Sequence, residues 1–180
     1  MSPDINDDTN RDVSEAITFP SGVGLLPLGD LATRGGLEIL QAMLRGEYPA
    51  PPMAQTLSFT LHEVEQDRVV FKGLPSPEHR NPMGGIHGGW IASLMDSALA
   101  CCIMTTLKPG EAYTTAEFKI NLVRPLTAGM GMVYCEGRLI HRGRTLATSE
   151  AFLRDASGKL LAHGTETCAI FPLESFMRGK

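Results

Sequence analysis

The sequence predicts an α+β domain in which an antiparallel sheet wraps around one long buried helix. Three observations predict it. Between Trp90 and Leu107 the chain is almost wholly apolar or small, with Asp96 as its one charge. After that run the hydrophobic period changes to two, and turn residues separate the strand-like segments, so consecutive hairpins build an antiparallel sheet. A chain of 180 residues, 43% of them hydrophobic, supplies one sizeable core and is short for two.

Residues 1–20 open with Asp4, Asp7, Asp8 and Asp12 and contain little apolar surface to offset the entropy of ordering, which predicts a flexible acidic tail. They lack the basic start and apolar stretch of a secretory signal, so export is not expected. Leu37, Leu40, Met43 and Leu44 fall at helical spacing, and Gly46 and Pro49 stop the pattern. A short amphipathic helix follows from this, with a linker at residues 50–52. Tail and helix form an N-terminal helical extension over residues 1–54, before a main domain at 55–172 and a C-terminal tail at 173–180.

In the main domain Leu57, Phe59 and Leu61 alternate with Ser58, Thr60 and His62, and residues 68–72 centre on Val69, Val70 and Phe71. These predict a strand pair turning near Gln66 and Asp67. The run from Trp90 to Leu107 approaches the length of a membrane span. Asp96 near its middle, with Ser93, Ser97, Thr105 and Thr106, makes a bilayer placement expensive, so the reading is a helix buried by protein. Beyond it Ala116, Phe118, Ile120 and Leu122 alternate with Thr115, Glu117, Lys119 and Asn121 in the clearest strand of the chain. Pro125 and Gly129 end that strand, and three more follow at about 132–140, 145–153 and 159–171. Residues 141–144 join the first two, and 155–158 form a hairpin turn between the last two.

Sixteen basic against twenty acidic side chains leave a net charge of −4, which provides no global field for nucleic acid or an anionic membrane. A polyanionic ligand would need a local patch. Cys101, Cys102, Cys135 and Cys168 contain no C-x-x-C spacing, which argues for reduced thiols in a cytosolic protein. His62, His79, His141 and His163 are scattered and show no metal-ligand spacing. Cys101 and Cys102 lie deep in the apolar helix, where a thiolate is disfavoured, and read as core.

Residues 81–89, rich in glycine, run directly into the buried helix. Glycines there let backbone N–H groups approach an anion or oxyanion closely; equally, they provide only a tight turn. No Gly-Lys-Ser/Thr follows, so this is not a Walker loop. Asp96 in apolar surroundings is costly unless paired, hydrogen-bonded or used.

Asn81, the triplet His87-Gly88-Gly89, Asp96, and the strand carrying Thr114-Thr115 and Arg124-Pro125 together resemble the hotdog-fold acyl-CoA thioesterases of the phenylacetate-pathway (PaaI) type, relatives of the hydroxybenzoyl-CoA thioesterases. The resemblance covers about residues 55–171. It implies a hotdog fold and hydrolysis of an acyl- or aryl-CoA to free acid and CoA in the cytoplasm. No metal or other cofactor is implied, coenzyme A being part of the substrate. A homodimer, or a tetramer built from such dimers, is implied as the assembly. Carried over residue by residue, Gly88 offers its backbone N–H to the thioester carbonyl oxygen, and Asp96 acts as general base or as nucleophile. Asn81 orients the thioester or the water, and Thr115, where relatives often have serine, holds the lytic water. His87 mainly fixes the loop, and with Gly89 it belongs to the substrate-binding segment. Leu122, Val123, Arg124 and Pro125, with His141, Arg142, Gly143 and Arg144, line the path of the pantetheine and nucleotide. On the residues alone, these arginines are as well read as solvated surface groups.

The spacing of Gly88 and Asp96 has its own consequence. Eight helical residues rise about 12 Å, whereas an oxyanion donor and the base serving one carbonyl must both lie within roughly 3–4 Å of the reacting group. A two-fold dimer with antiparallel helices would bring Gly88 of one copy to Asp96 of the other. Two competing functions are a noncatalytic acyl-CoA binder, against which Asp96 argues, and a hotdog enoyl-CoA hydratase or dehydratase. The latter needs an acid–base histidine that no spacing here provides.

Overall fold

In the computed structural model, which describes residues 16–178, the apolar run forms helix α4 (Gly88–Met104) at the centre of the fold. It starts ahead of the run because His87 is its N-cap, the ring Nδ1 accepting the Gly89 N–H at 2.9 Å. It stops short of Leu107 because the Thr105 and Thr106 hydroxyls donate to the carbonyls of Cys102 and Ile103, at 2.6 and 2.8 Å. Leu94, Met95, Ala98, Leu99, Cys102 and Ile103 are fully enclosed. Among the described residues no helix is long and apolar enough to cross a membrane.

Six strands surround α4: β1 (Phe59–Glu65), β2 (Arg68–Gly73), β3 (Glu111–Leu122), β4 (Val133–Arg142), β5 (Leu146–Asp155) and β6 (Leu160–Pro172). Their order across the single sheet is β1-β2-β4-β5-β6-β3, every neighbouring pair antiparallel. The chain therefore leaves β2, passes through α4 and resumes at the far edge, where β3 pairs only with β6. Asp67, at φ 65°, makes the β1–β2 turn where expected, and Gly158, at φ 85°, completes the turn between β5 and β6.

Close approach of helix and sheet depends on Gly137 in β4. A Cβ there would sit 2.2 Å from the Ala98 carbonyl oxygen of α4. Gly137→Ala is therefore expected to destabilise the fold by about 1–3 kcal/mol through overpacking. Thermal unfolding would show a drop of several degrees, and an unchanged Tm would mean that α4 does not rest on β4 in this way.

The N-terminal extension holds three short helices rather than one: α1 (Leu28–Thr33), α2 (Gly36–Leu44) and α3 (Pro52–Thr56). Helix α2 is the expected amphipathic one and buries Ile39 and Leu40. The others are too short to show a period; α3 is marked only by Pro52 in its first turn. Of the expected flexible tail, residues 1–15 lie outside the described residues. Within residues 16–20, Phe19 packs against the core. The C-terminal stretch expected as a tail begins instead with helix α5 (Leu173–Arg178). Leu173 is buried, and its N–H donates to the Gly110 carbonyl at 2.8 Å.

Candidate active site

Strands β3 and β6 bring two side chains against Asp96, which sits half-buried near the middle of α4. Thr115 of β3 places its hydroxyl 3.3 Å from Asp96 Oδ1 and 2.9 Å from Oε1 of Glu166 on β6. A β-bulge between Thr115 and Glu117 breaks the β3–β6 register beside this cluster, a device that re-aims side chains near functional sites. Glu166 is 1% exposed and also accepts the Cys168 thiol at 3.0 Å. Burial pushes its carboxyl up to about 7, the hydrogen bonds from Cys168 and Thr115 opposing and the charges of Asp96 and Glu117 adding. Desolvation likewise raises the carboxyl of Asp96, opposed by hydrogen bonding to Thr115 and Glu166.

Glu166 does not figure in the sequence-based site. A signal for it exists. Along β6 the residues Ala162, Gly164, Glu166, Cys168 and Ile170 occupy the inward register, so a carboxylate stands where the alternation demands an apolar side chain.

At the start of α4, the Gly89 N–H is taken by the His87 ring, and the Trp90 N–H donates to the His87 carbonyl at 3.0 Å. The Gly88 N–H finds no acceptor among the described residues, which leaves the positive end of the helix open to an anion. Asn81 is half-buried and shapes the loop ahead of it. Its Oδ1 accepts the Met83 N–H at 2.9 Å, and its own N–H donates to the Gly85 carbonyl at 2.7 Å.

The structure does not bring the two segments expected along the coenzyme A path together within one chain. Leu122, Val123, Arg124 and Pro125 are exposed at the end of β3, where Arg124 Nη1 donates to the Leu160 carbonyl at 2.5 Å. His141, Arg142, Gly143 and Arg144 lie at the opposite end, where Arg142 pairs with Glu111 at 2.8 Å and bonds the Thr106 hydroxyl at 3.1 Å. A twelve-residue strand, roughly 40 Å long, separates them. Arg142 is thereby engaged within the fold. Arg144 and His141 are exposed.

Two cavities, of about 450 and 630 Å³, are lined by neither Gly88, Asp96 nor Thr115. The smaller is apolar and lies between the N-terminal extension, β1 and the Ser97–Cys101 face of α4. Burial pushes the Cys101 and Cys102 thiols up to about 12, which removes both as nucleophiles near neutral pH. Among the described residues no group of three His, Cys, Asp or Glu side chains is disposed to hold a metal ion.

Residues 83–162 match the family model of the thioesterase superfamily. The structure of the phenylacetic acid degradation-related protein of Ralstonia eutropha aligns with a TM-score of 0.66 at 30% identity, over 72% of this chain and 98% of that one. The chain belongs to the thioesterase superfamily. Its architecture is the hotdog fold of that family. Human acyl-coenzyme A thioesterase 13 is 29% identical over 109 residues, 60% of this thioesterase and 76% of the human protein. The acyl-CoA thioester hydrolase YciA of Escherichia coli is 31% identical over 86 residues, 48% of this chain and 64% of YciA. These relatives support thioester hydrolysis as the general chemistry. The family match takes in Gly88, Asp96 and Thr115 and ends before Glu166.

Proposed function

We propose that this thioesterase hydrolyses an acyl- or aryl-CoA thioester to the free carboxylic acid and coenzyme A, at a site completed by two copies of the chain. The observation that carries the proposal is the placement of a half-buried carboxylate, Asp96, on the same helix whose open N-terminus presents the Gly88 N–H. Asp96 acts as general base on water or as nucleophile on the carbonyl carbon; either role requires its anion. As base it takes the proton of the attacking water, and the tetrahedral oxyanion is met by the Gly88 N–H. The C–S bond then breaks, and the coenzyme A thiolate takes the proton back from Asp96.

Three features support a shared site. The helical rise keeps Gly88 about 12 Å from Asp96 in one chain. Neither of the two cavities described above is lined by Asp96. The free edge of β3 exposes Phe118 and Leu122, at 40% and 50%, and a long open edge of this kind is a template for pairing. Antiparallel pairing of two β3 strands centred between Phe118 and Lys119 sets Leu122 of one copy, with its Gly88, opposite Thr115 and near Asp96 of the other. It also brings the segment 122–125 of one copy toward 141–144 of the other, which closes a continuous path for coenzyme A. The enzyme so assembled works in the cytoplasm with its four thiols reduced.

A hydrolysis panel with free-thiol detection tests this, using phenylacetyl, hydroxybenzoyl, short and long aliphatic thioesters of coenzyme A. Arg144→Glu is expected to raise KM for the best CoA thioester about fivefold, the scale of one exposed charge pair. The same acyl group on N-acetylcysteamine, which lacks the nucleotide, should be unaffected, and added salt should shrink the difference. Binding of CoA thioesters without turnover of any would overturn the reading in favour of a carrier.

A further inference from the structure

Glu166 is a fully buried carboxyl with no role in the chemistry above. Its Oε1 is shared by Thr115 and Cys168, and its Oε2 has no hydrogen-bond partner among the described residues. In register it stands between Phe118 of β3 and Ser149 of β5, and the Ser149 hydroxyl is spent on the Leu99 carbonyl of α4 at 3.0 Å. The titratable groups around it are Asp96, Cys101 and Cys102 of α4, Tyr113 and Glu117 of β3, and the thiol of Cys168 on its own strand. None of these is a cation.

One hydroxyl thus lies between two carboxyls, and a hydroxyl has a single proton to give. If both carboxyls were ionised, two like charges would compete for it, one of them on Glu166, which is shielded from water. The more deeply buried of the two takes the proton first. A protonated Glu166 donates to Thr115 Oγ1, and the Thr115 proton is then free for Asp96 Oδ1.

We infer that Glu166 is a positioning residue for Asp96: held as a neutral acid, it turns the Thr115 hydroxyl onto the Asp96 carboxylate and keeps Asp96 the only charge of the pair. This rests on the proposed hydrolysis for its consequence, though not for its geometry. When Glu166 ionises it takes the Thr115 proton for itself, and Asp96 loses the contact that orients it. The kcat of the wild-type enzyme therefore falls as pH rises through about 7, the value to which burial lifts Glu166. KM stays level.

The test compares wild type, Glu166→Gln and Glu166→Leu between pH 5.5 and 9. Gln cannot ionise, and its amide still donates to Thr115, so it keeps kcat within about threefold at pH 6 and loses the fall above neutrality. Leu cannot donate, and its kcat drops about tenfold or more at every pH with KM unchanged, the scale of one lost hydrogen bond to a charged group. A fall above neutrality that persists in Glu166→Gln overturns the inference, and so does a folded Glu166→Leu with wild-type kcat. If Glu166→Leu does not fold, the Gln comparison decides. A second measurement does not need turnover: in carboxyl-labelled protein the Asp96 13C resonance shows an inflection near pH 7 that vanishes in Glu166→Gln. Its presence without any thioester turnover would sink the hydrolase reading and leave the control of Asp96 by Glu166 standing. An Asp96 resonance that ignores Glu166 would overturn the inference itself.

Discussion

Asp96→Asn is expected to lower kcat on the best CoA thioester by roughly 10²- to 10⁴-fold, the range associated with losing general acid–base assistance. The substitution keeps the size and shape of the side chain. The amide oxygen can still accept from the Thr115 hydroxyl, which lies 3.3 Å from Asp96 Oδ1. Burial already raises the Asp96 carboxyl, so replacing a half-desolvated charge by a neutral amide relieves a cost and should not unfold the protein. The loss should therefore appear in kcat, with KM and Tm little changed. Steady-state hydrolysis with free-thiol detection, beside a thermal melt, separates the two. A folded Asp96→Asn enzyme with a near wild-type rate would remove Asp96 from the chemistry. A raised KM at unchanged kcat would make it a binding group.

Legibility in the sequence followed the length of each pattern. Helix α4 could be read from its long apolar run and strand β3 from an alternation sustained over many residues, and the β5–β6 turn because 155–158 is made of turn-forming side chains. The ends of α4 could not be read from hydropathy. They are set by the His87 ring at one end and the Thr105 and Thr106 hydroxyls at the other, and these compete with the backbone locally. Helix α1 and helix α3 are shorter than two turns and leave no period to detect. In the site, Asp96 stood out as the one charge of an apolar run and Gly88 as part of a glycine-rich loop entering the helix, whereas Thr115 was reached only through the family resemblance. Glu166 lies seventy residues beyond Asp96 in sequence, and its meaning depends on which face of β6 turns toward α4. The segments 122–125 and 141–144 look alike as basic, strand-flanking stretches. Only the sheet order reveals that one chain holds them at opposite ends.

A mixed species of Gly88→Pro and Asp96→Asn subunits tests the shared site most directly. Proline suits position 88: it is the first helical residue, where the ring is tolerated, and His87 before it is already extended at ψ 136°. The substitution removes the N–H, and losing such a donor costs roughly 10²- to 10³-fold. The nearest obstacle to new atoms there is the flexible end of Leu122, 3.3 Å from a Cβ. Each mutant homo-oligomer should thus fold and be nearly inactive. The differently tagged mutants are co-expressed, the mixed species is isolated by tandem affinity, native mass spectrometry confirms its composition, and hydrolysis is measured. With each site drawing Gly88 from one copy and Asp96 from the other, a mixed dimer has one doubly damaged site and one intact site. Its activity should recover toward half of wild type. A correctly folded mixed dimer as inactive as its parents would mean that both groups act within one chain, and the shared site would be wrong.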